Sequence, residues 1–262
     1  MNLMITGGSD GIGLAMARLL TAEAGTRVTL VARNEQKLAE AVAALPGQGH
    51  DYVVADLSQR SDIDALARRL TSRHYALLIN NAGVGLYGRF AELSLDDQLR
   101  MMSLNLESVV VLSHAYLRQA RRGDALVNTA SFLGYTPLPG AAVYSATKAF
   151  VAALSETLWW EYRSQGVYVL GFSPGVITTT FHTTAGASVG HFPRVLVQAP
   201  DDAAREMVRA LRTRTAPRAV SGWGARALLL LHRLMTRKIA INMMGVNSPI
   251  PEAAAIKTQT EE

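Results

Sequence analysis

The regular alternation of short apolar runs with longer amphipathic stretches constrains this chain more than any other feature. Strand-like runs recur at Leu3–Thr6, Arg27–Ala32, Asp51–Ala55, Ala76–Asn80, Ala125–Thr129 and Tyr168–Ser173. Helical periodicity fills Ile12–Ala24, Asn34–Ala44, Gln59–Ser72, Ser94–Ala120 and Tyr144–Ser164 between them. Parallel neighbours need a crossover, and a helix of this length supplies one, so the pattern predicts βαβ units. The predicted fold class is α/β, with a mainly parallel, doubly wound sheet, helices on both faces and ligands at the carboxyl ends of the strands.

Directly behind the first run comes Thr6-Gly7-Gly8-Ser9-Asp10-Gly11-Ile12-Gly13. Glycines at 7, 11 and 13 sit where a strand turns into a helix. Without side chains there, the turn can close and phosphates can approach the helix amino terminus. After the second run stands Ala32-Arg33. A carboxylate at this place would pair with a ribose 2′-hydroxyl, whereas a guanidinium accepts a 2′-phosphate, so the reading is NADPH over NADH.

The chemistry is carried by Tyr144-Ser145-Ala146-Thr147-Lys148, thirteen residues after Ser131. A phenol has an unperturbed pKa of about 10 and exchanges protons poorly at neutral pH unless positive charge stabilises the phenolate. On a helix, positions i and i+4 lie one turn apart on one face, so Lys148 can stand beside Tyr144. Taken alone this could be an ordinary snorkelling pair. Taken with the glycine turn, Asn80-Asn81-Ala82-Gly83 after the fourth run, Ser131 after the fifth and Pro174-Gly175 after the sixth, it reads as a carbonyl oxidoreductase.

In these motifs, over roughly residues 2 to 182, the chain resembles the short-chain dehydrogenase/reductase family. The resemblance implies a single Rossmann domain over 1–250 and catalytic roles for Ser131, Tyr144, Lys148 and Asn105. Ser131 would hydrogen-bond the substrate carbonyl oxygen and Tyr144 would protonate it. Lys148 would lower the phenol pKa and bind the nicotinamide ribose, and Asn105 would hold a water linking Lys148 to solvent. For the cofactor it implies Gly7, Ser9, Asp10, Gly11, Ile12 and Gly13 at the phosphates, Arg33 at the 2′-phosphate, and Asp56-Leu57 at the adenine. Asn81, Ala82 and Gly83 would run alongside, Asn81 with an architectural role as well, and Pro174, Gly175, Val176, Ile177 and Thr179 would lie at the nicotinamide. NADPH-preferring relatives often carry a second cation in the glycine loop, where this chain has Asp10.

The segments expected around the substrate are mostly apolar: Leu133, Gly134, Tyr135 and Leu138 after the catalytic serine, Val176, and Phe181–Phe192, the first part of a mobile loop expected over Phe181–Ala199. They suit a hydrophobic ketone, 3-oxoacyl group or acyl thioester. The chain lacks the carboxyl-terminal Gly-x-x-Leu-x-Val-Asp-Gly-Gly strand of carrier-linked ketoacyl reductases. It is similar instead to the branch that contains long-chain ketoacyl and hydroxysteroid reductases. The same residues would serve an alcohol dehydrogenase running in the oxidative direction, and the fold alone would serve a nucleotide-sensing module.

Composition narrows the rest. There is no cysteine, which excludes disulfides and thiolate zinc sites, and the six histidines show no metal-ligand spacing, so no metal is expected. No signal segment or membrane span is expected, which points to a cytoplasmic protein. Of the net charge of +5, residues 194–238 carry +7, with ten Lys/Arg against three Asp/Glu. That quarter is either a solvated face or a site for an anionic partner, and nucleic acid is not expected because no recognition motif accompanies the charge. Asp201–Arg214 has helical periodicity. The arginine-studded apolar stretch at 223–244 is open to three readings: pocket lid, oligomer contact, or association with a membrane surface. By resemblance the chain forms a homodimer or tetramer through the helices around 99–120 and 144–164, and 251–262 reads as a tail.

Overall fold

The computed structural model describes residues 1–179, 181, 185 and 192–250. In chain order it runs β1 (Asn2–Thr6), α1 (Gly11–Thr21), β2 (Arg27–Ala32), α2 (Glu35–Ala43), β3 (Asp51–Val54), α3 (Arg60–Ser72) and β4 (Leu77–Asn80). Next come α4 (Leu95–Met102), a π-turn (Ser103–Glu107), α5 (Ser108–Leu117), β5 (Ala125–Thr129), α6 (Ala142–Tyr162), β6 (Tyr168–Ser173) and β7 (Val176–Ile177). The last part holds β8 (Val197–Gln198), α7 (Pro200–Thr213), β9 (Arg218–Val220), α8 (Trp223–Arg233) and α9 (Arg237–Gly245). Of the loop predicted over Phe181–Ala199 most of the first part lies outside the described residues, whereas the second part holds a 3₁₀ turn at Arg194–Leu196 and β8; the whole predicted tail 251–262 lies outside the described residues.

Seven strands form one sheet in the order β3-β2-β1-β4-β5-β6-β9, every pair parallel. This is the doubly wound Rossmann arrangement predicted from the alternation. Successive strand residues point to opposite faces, and each face has its own core. Leu3, Ile5, Leu77, Ile79 and Val127 pack with Met16, Leu20 and Met207 from α1 and α7. Met4, Leu78 and Leu126 pack with Ile63, Leu66, Leu112 and Tyr116 from α3 and α5. Burial on both faces is why these strands read as unbroken apolar runs. The chain leaves β3 at one edge and re-enters beside β1 as β4. The strand order therefore reverses between β1 and β4, where the carboxyl ends open a crevice.

The structure refines three boundaries. The helix expected over 94–120 runs without a gap from Leu95 to Leu117 but carries a π-turn that holds Asn105. The 222–245 stretch divides into α8 and α9 because the Thr236 side chain accepts the Ile239 N–H and starts a new helix. The seventh strand, β9, was not expected; it is only three residues long and follows Pro217.

Candidate active site

A cavity of about 420 Å³ lies along the carboxyl ends of the strands. Its floor at one end is the β1–α1 turn, with Gly7 at φ +64° and Gly11 at φ +55°, conformations that favour glycine. A Cβ on Gly7 would stand 2.9 Å from the Ala82 Cα, and one on Gly13 would stand 2.1 Å from the Gly7 carbonyl oxygen. Gly7 and Gly11 thus expose backbone to the cavity, along with Ser9, Asp10 and Ile12, while Gly13 does not line it and serves the packing of the turn. Asp10 caps α1, its carboxylate accepting the Gly11 N–H at 2.7 Å.

Two residues hold the turn to β4. The Thr6 hydroxyl accepts the N–H groups of Asn81 and Ala82, both at 3.0 Å, and the Asn81 amide donates to the carbonyls of Thr6 and Gly7 at 3.1 and 3.2 Å. Asn81 therefore spends its amide on architecture while lining the cavity with Ala82 and Gly83.

Arg33 lines the same end, as do Asp56 and Leu57. The Asp56 carboxylate accepts from the N–H and hydroxyl of Ser58, closing the turn into α3. Lys37, which the sequence reading passed over, also lines this end. Asn34 caps α2 by accepting the Lys37 N–H at 2.9 Å, and the Lys37 ammonium stands 3.5 Å from Asp10. A second cation therefore does reach the glycine loop, from α2. The available signal was its position in the first turn of the helix that Asn34 caps.

At the other end Ser131, Tyr144 and Lys148 meet. The Ser131 hydroxyl oxygen accepts the Leu133 N–H at 3.2 Å, which leaves its proton to be donated elsewhere. The Lys148 ammonium donates to the Thr129 carbonyl at 2.9 Å and stands 5.9 Å from the centre of the Tyr144 ring. Gly83 makes room, since a Cβ there would sit 3.3 Å from the ammonium and 3.1 Å from Asn105 Oδ1. Helix α6 is fixed by close contact and buried polar bonds. A Cβ on Gly134 would meet the Lys148 carbonyl at 2.7 Å, and Asn128 donates to Ser155 at 3.1 Å while accepting from Asn80 at 2.9 Å.

Asn105 does not line the cavity. Its Oδ1 accepts the Val84 N–H at 3.1 Å, and its Nδ2 donates to the Val84 carbonyl at 2.9 Å and the Thr147 hydroxyl at 3.2 Å. It thus ties the segment after β4 to α6, next to Lys148.

Burial governs both titrating groups. It pushes Tyr144 up to about 12, with the Ser131 hydrogen bond pulling the other way, and pushes Lys148 down to about 8. Removal from water is thus the largest influence on each group, and Lys148 keeps its charge below about 8.

The wall around this end is aromatic. Tyr87 and Phe181 stand 6.3 and 5.7 Å from Tyr144, centre to centre, and Phe192 joins them. Leu133, Phe181, Pro174, Gly175, Val176, Ile177 and Thr179 line the cavity as expected. Tyr135 and Leu138 do not. The Tyr135 hydroxyl donates to Glu156 at 3.1 Å beneath the Arg218 guanidinium, and Leu138 is buried behind Tyr144. Tyr87 was missed because it lies between β4 and α4, in a stretch with no periodic signal.

The family profile described as short chain dehydrogenase matches residues 2–189. The chain belongs to that family and is an NAD(P)-dependent oxidoreductase. It is 31% identical over 76% of its length to an uncharacterized oxidoreductase of Staphylococcus epidermidis, covering 87% of that protein. A short-chain dehydrogenase from Sphingobium yanoikuyae, solved in complex with NADPH, is 29% identical with a TM-score of 0.79, covering 89% of this chain and 93% of that one. The bulky-bulky ketone specific alcohol dehydrogenase from Comamonas testosteroni is 26% identical with a TM-score of 0.72, covering 89% and 92%.

Proposed function

We propose that the protein uses NADPH to reduce the carbonyl of a bulky hydrophobic ketone or 3-oxoacyl group to the alcohol. The observation that carries this reading is one cavity with two chemically opposite ends. A glycine-floored, cationic end lies beside Arg33 and Lys37, and an aromatic end holds Ser131, Tyr144 and Lys148. The NADPH in the Sphingobium complex and the ketone specificity in the Comamonas protein's description lend it support.

The turn at Gly7 and Gly11 and the amino end of α1 fit a pyrophosphate, because glycine lets it approach the backbone closely and the helix dipole favours negative charge there. Asp56 and Leu57 would flank the adenine, Arg33 and Lys37 would take the 2′-phosphate, and Val176, Ile177 and Thr179 would hold the carboxamide. Once bound, the cofactor supplies a hydride to the carbonyl carbon.

The chain's own residues supply the rest. Burial keeps Tyr144 protonated through the neutral range, so it enters the step as an acid and gives its proton to the carbonyl oxygen. Ser131, whose oxygen is already engaged by the Leu133 N–H, donates its hydrogen to the same oxygen as negative charge develops. Lys148 carries the compensating charge beside the phenolate that remains and would hold the ribose hydroxyls. Asn105 acts as a positioning residue, through Val84 and Thr147. The aromatic wall excludes water and selects apolar substrates.

The test is initial-rate oxidation of NADPH, with NADH in parallel, over medium- and long-chain 3-oxoacyl thioesters, steroids and aromatic diketones. Turnover that prefers NADPH and disappears in Tyr144→Phe supports the reading. Equal use of NADH overturns the phosphate site. Turnover that survives in Tyr144→Phe overturns the proton donor, and cofactor binding with no turnover on the whole panel overturns the reductase.

A further inference from the structure

Helix α8 is apolar on two sides. Its inner side follows ordinary patterning, with Ala225, Leu228 and Leu229 packed against the aromatic wall that holds Phe192 and Val176. Its outer side should then be polar, yet Trp223, Leu230, Leu231 and Leu234 are 71%, 62%, 43% and 81% exposed. Their spacings of i, i+7, i+8 and i+11 place them, with Ala227 between, along a single stripe. Helix α9 adds exposed Ile239 and Ile241. Concentrated exposed apolar surface of this kind marks a binding face.

Charge indicates what covers it. Residues 207–250 contain eight Lys/Arg and no Asp/Glu. Four of these cations, Arg226, Arg233, Arg237 and Lys238, lie on α8 and α9. Among the described residues Arg226 pairs with Glu206 at the base of α8, and Arg237 donates to the Tyr135 carbonyl at 3.5 Å. Two copies joined through this face would set cations against cations around an apolar seam. An anionic bilayer instead offers hydrocarbon depth for the leucines, negative headgroups for the cations and an interfacial layer for Trp223. Among the described residues no helix is long and apolar enough to cross a membrane, so such contact would lie in the plane of the surface.

We propose that the outer face of α8 and α9 is a peripheral binding surface for an anionic lipid bilayer. The inner side of α8 backs the aromatic end of the cavity, so docking brings that end to the phase in which a hydrophobic ketone partitions. This last consequence rests on the reductase reading, whereas the lipid surface does not.

The experiment is co-sedimentation of the full chain with sucrose-loaded vesicles of phosphatidylcholine alone or in equal mixture with phosphatidylglycerol. It is run at about 0.1 M and about 1 M salt. The protein should sediment with the mixed vesicles only and be released at high salt. Arg233→Glu with Lys238→Glu should weaken the partition by at least about tenfold, each cation near the surface being worth about fivefold. Leu230→Asp with Leu234→Asp should abolish it at an unchanged thermal midpoint. Equal binding to neutral vesicles, no binding to either, or variants that bind like the wild type would overturn the proposal. So would a dimer in sedimentation velocity that the Leu230→Asp/Leu234→Asp chain no longer forms, which would assign the face to a second copy. None of these outcomes bears on NADPH turnover of a soluble ketone, so failure here leaves the reductase reading standing.

Discussion

The two ends of the cavity are made of different material. At the end proposed for the cofactor the floor is backbone at Gly7 and Gly11, tied to β4 through Thr6 and Asn81. At the carbonyl end the wall is side chain, assembled from Tyr87, Leu133, Tyr144, Phe181 and Phe192 on separate segments. A backbone floor tolerates one residue type at a few positions and is almost indifferent elsewhere. A side-chain wall can be rebuilt for a new substrate without touching the fold.

The sharpest way to separate the ends is Tyr144→Phe. Reductive kcat should fall by about 10³-fold, the loss typical of removing a positioned proton donor, while cofactor affinity by fluorescence titration stays within about threefold. If affinity collapses as well, the ends are not separable.

Gly13→Ala attacks the opposite end. Its Cβ would stand 2.1 Å from a backbone oxygen that cannot rotate away, so the turn must open. We expect about 3 kcal/mol of lost stability by denaturant unfolding and at least about tenfold weaker cofactor binding. Gly25→Ala, at φ +77° in open space, is the control and should cost about 1 kcal/mol with binding unchanged.

Arg33→Asp combined with Lys37→Glu should weaken NADPH by about tenfold or more while leaving NADH nearly untouched, because charge-assisted bonds to a phosphate are lost. An equal effect on both cofactors would remove these cations from the 2′-phosphate site.

The pH profile tests the coupling at the carbonyl end. Lys148 is charged below about 8 and neutral above it, whereas Tyr144 keeps its proton to about 12. Reductive kcat/KM should therefore hold at lower pH and decline as pH rises through about 8. Lys148→Arg, which stays charged, should move that decline to higher pH whatever its absolute rate. A decline unmoved by the substitution would belong to another group.

The smallest effect is expected from Tyr135→Phe. Its hydroxyl faces Glu156 and not the cavity, so rates should change by less than about twofold, with about 1 kcal/mol lost in stability. A large change in KM would return Tyr135 to the substrate wall.

How much could be read in advance follows the same division. Five of the predicted strands were legible because they are buried on both faces and show as apolar runs, and the edge strand β3 through its Tyr-Val-Val run, whereas β9, three residues at the other edge, carries too little pattern to show. Tyr144 and Lys148 were legible as a pair because one helix sets their spacing. Asn105 could be picked out as a residue, but its π-turn could not, and its bonds to Val84 and Thr147 join segments far apart in the chain. Tyr135 looked like pocket because it follows Ser131 closely. The short 3₁₀ turn at Phe132–Gly134, pressed against α6 at Gly134, swings it to the other side.

The sequence by itself determined the parallel α/β sheet, the glycine floor, Arg33 and the Tyr144–Lys148 spacing, because each depends on periodicity or on groups a few bonds apart. Only the tertiary structure decided that Lys37 reaches the glycine loop, that Tyr87 and Phe192 frame Tyr144, that α8 turns leucines outward, and that burial raises the Tyr144 phenol. Those outcomes depend on which distant segments pack together and on how much water that packing removes, and no local pattern encodes either.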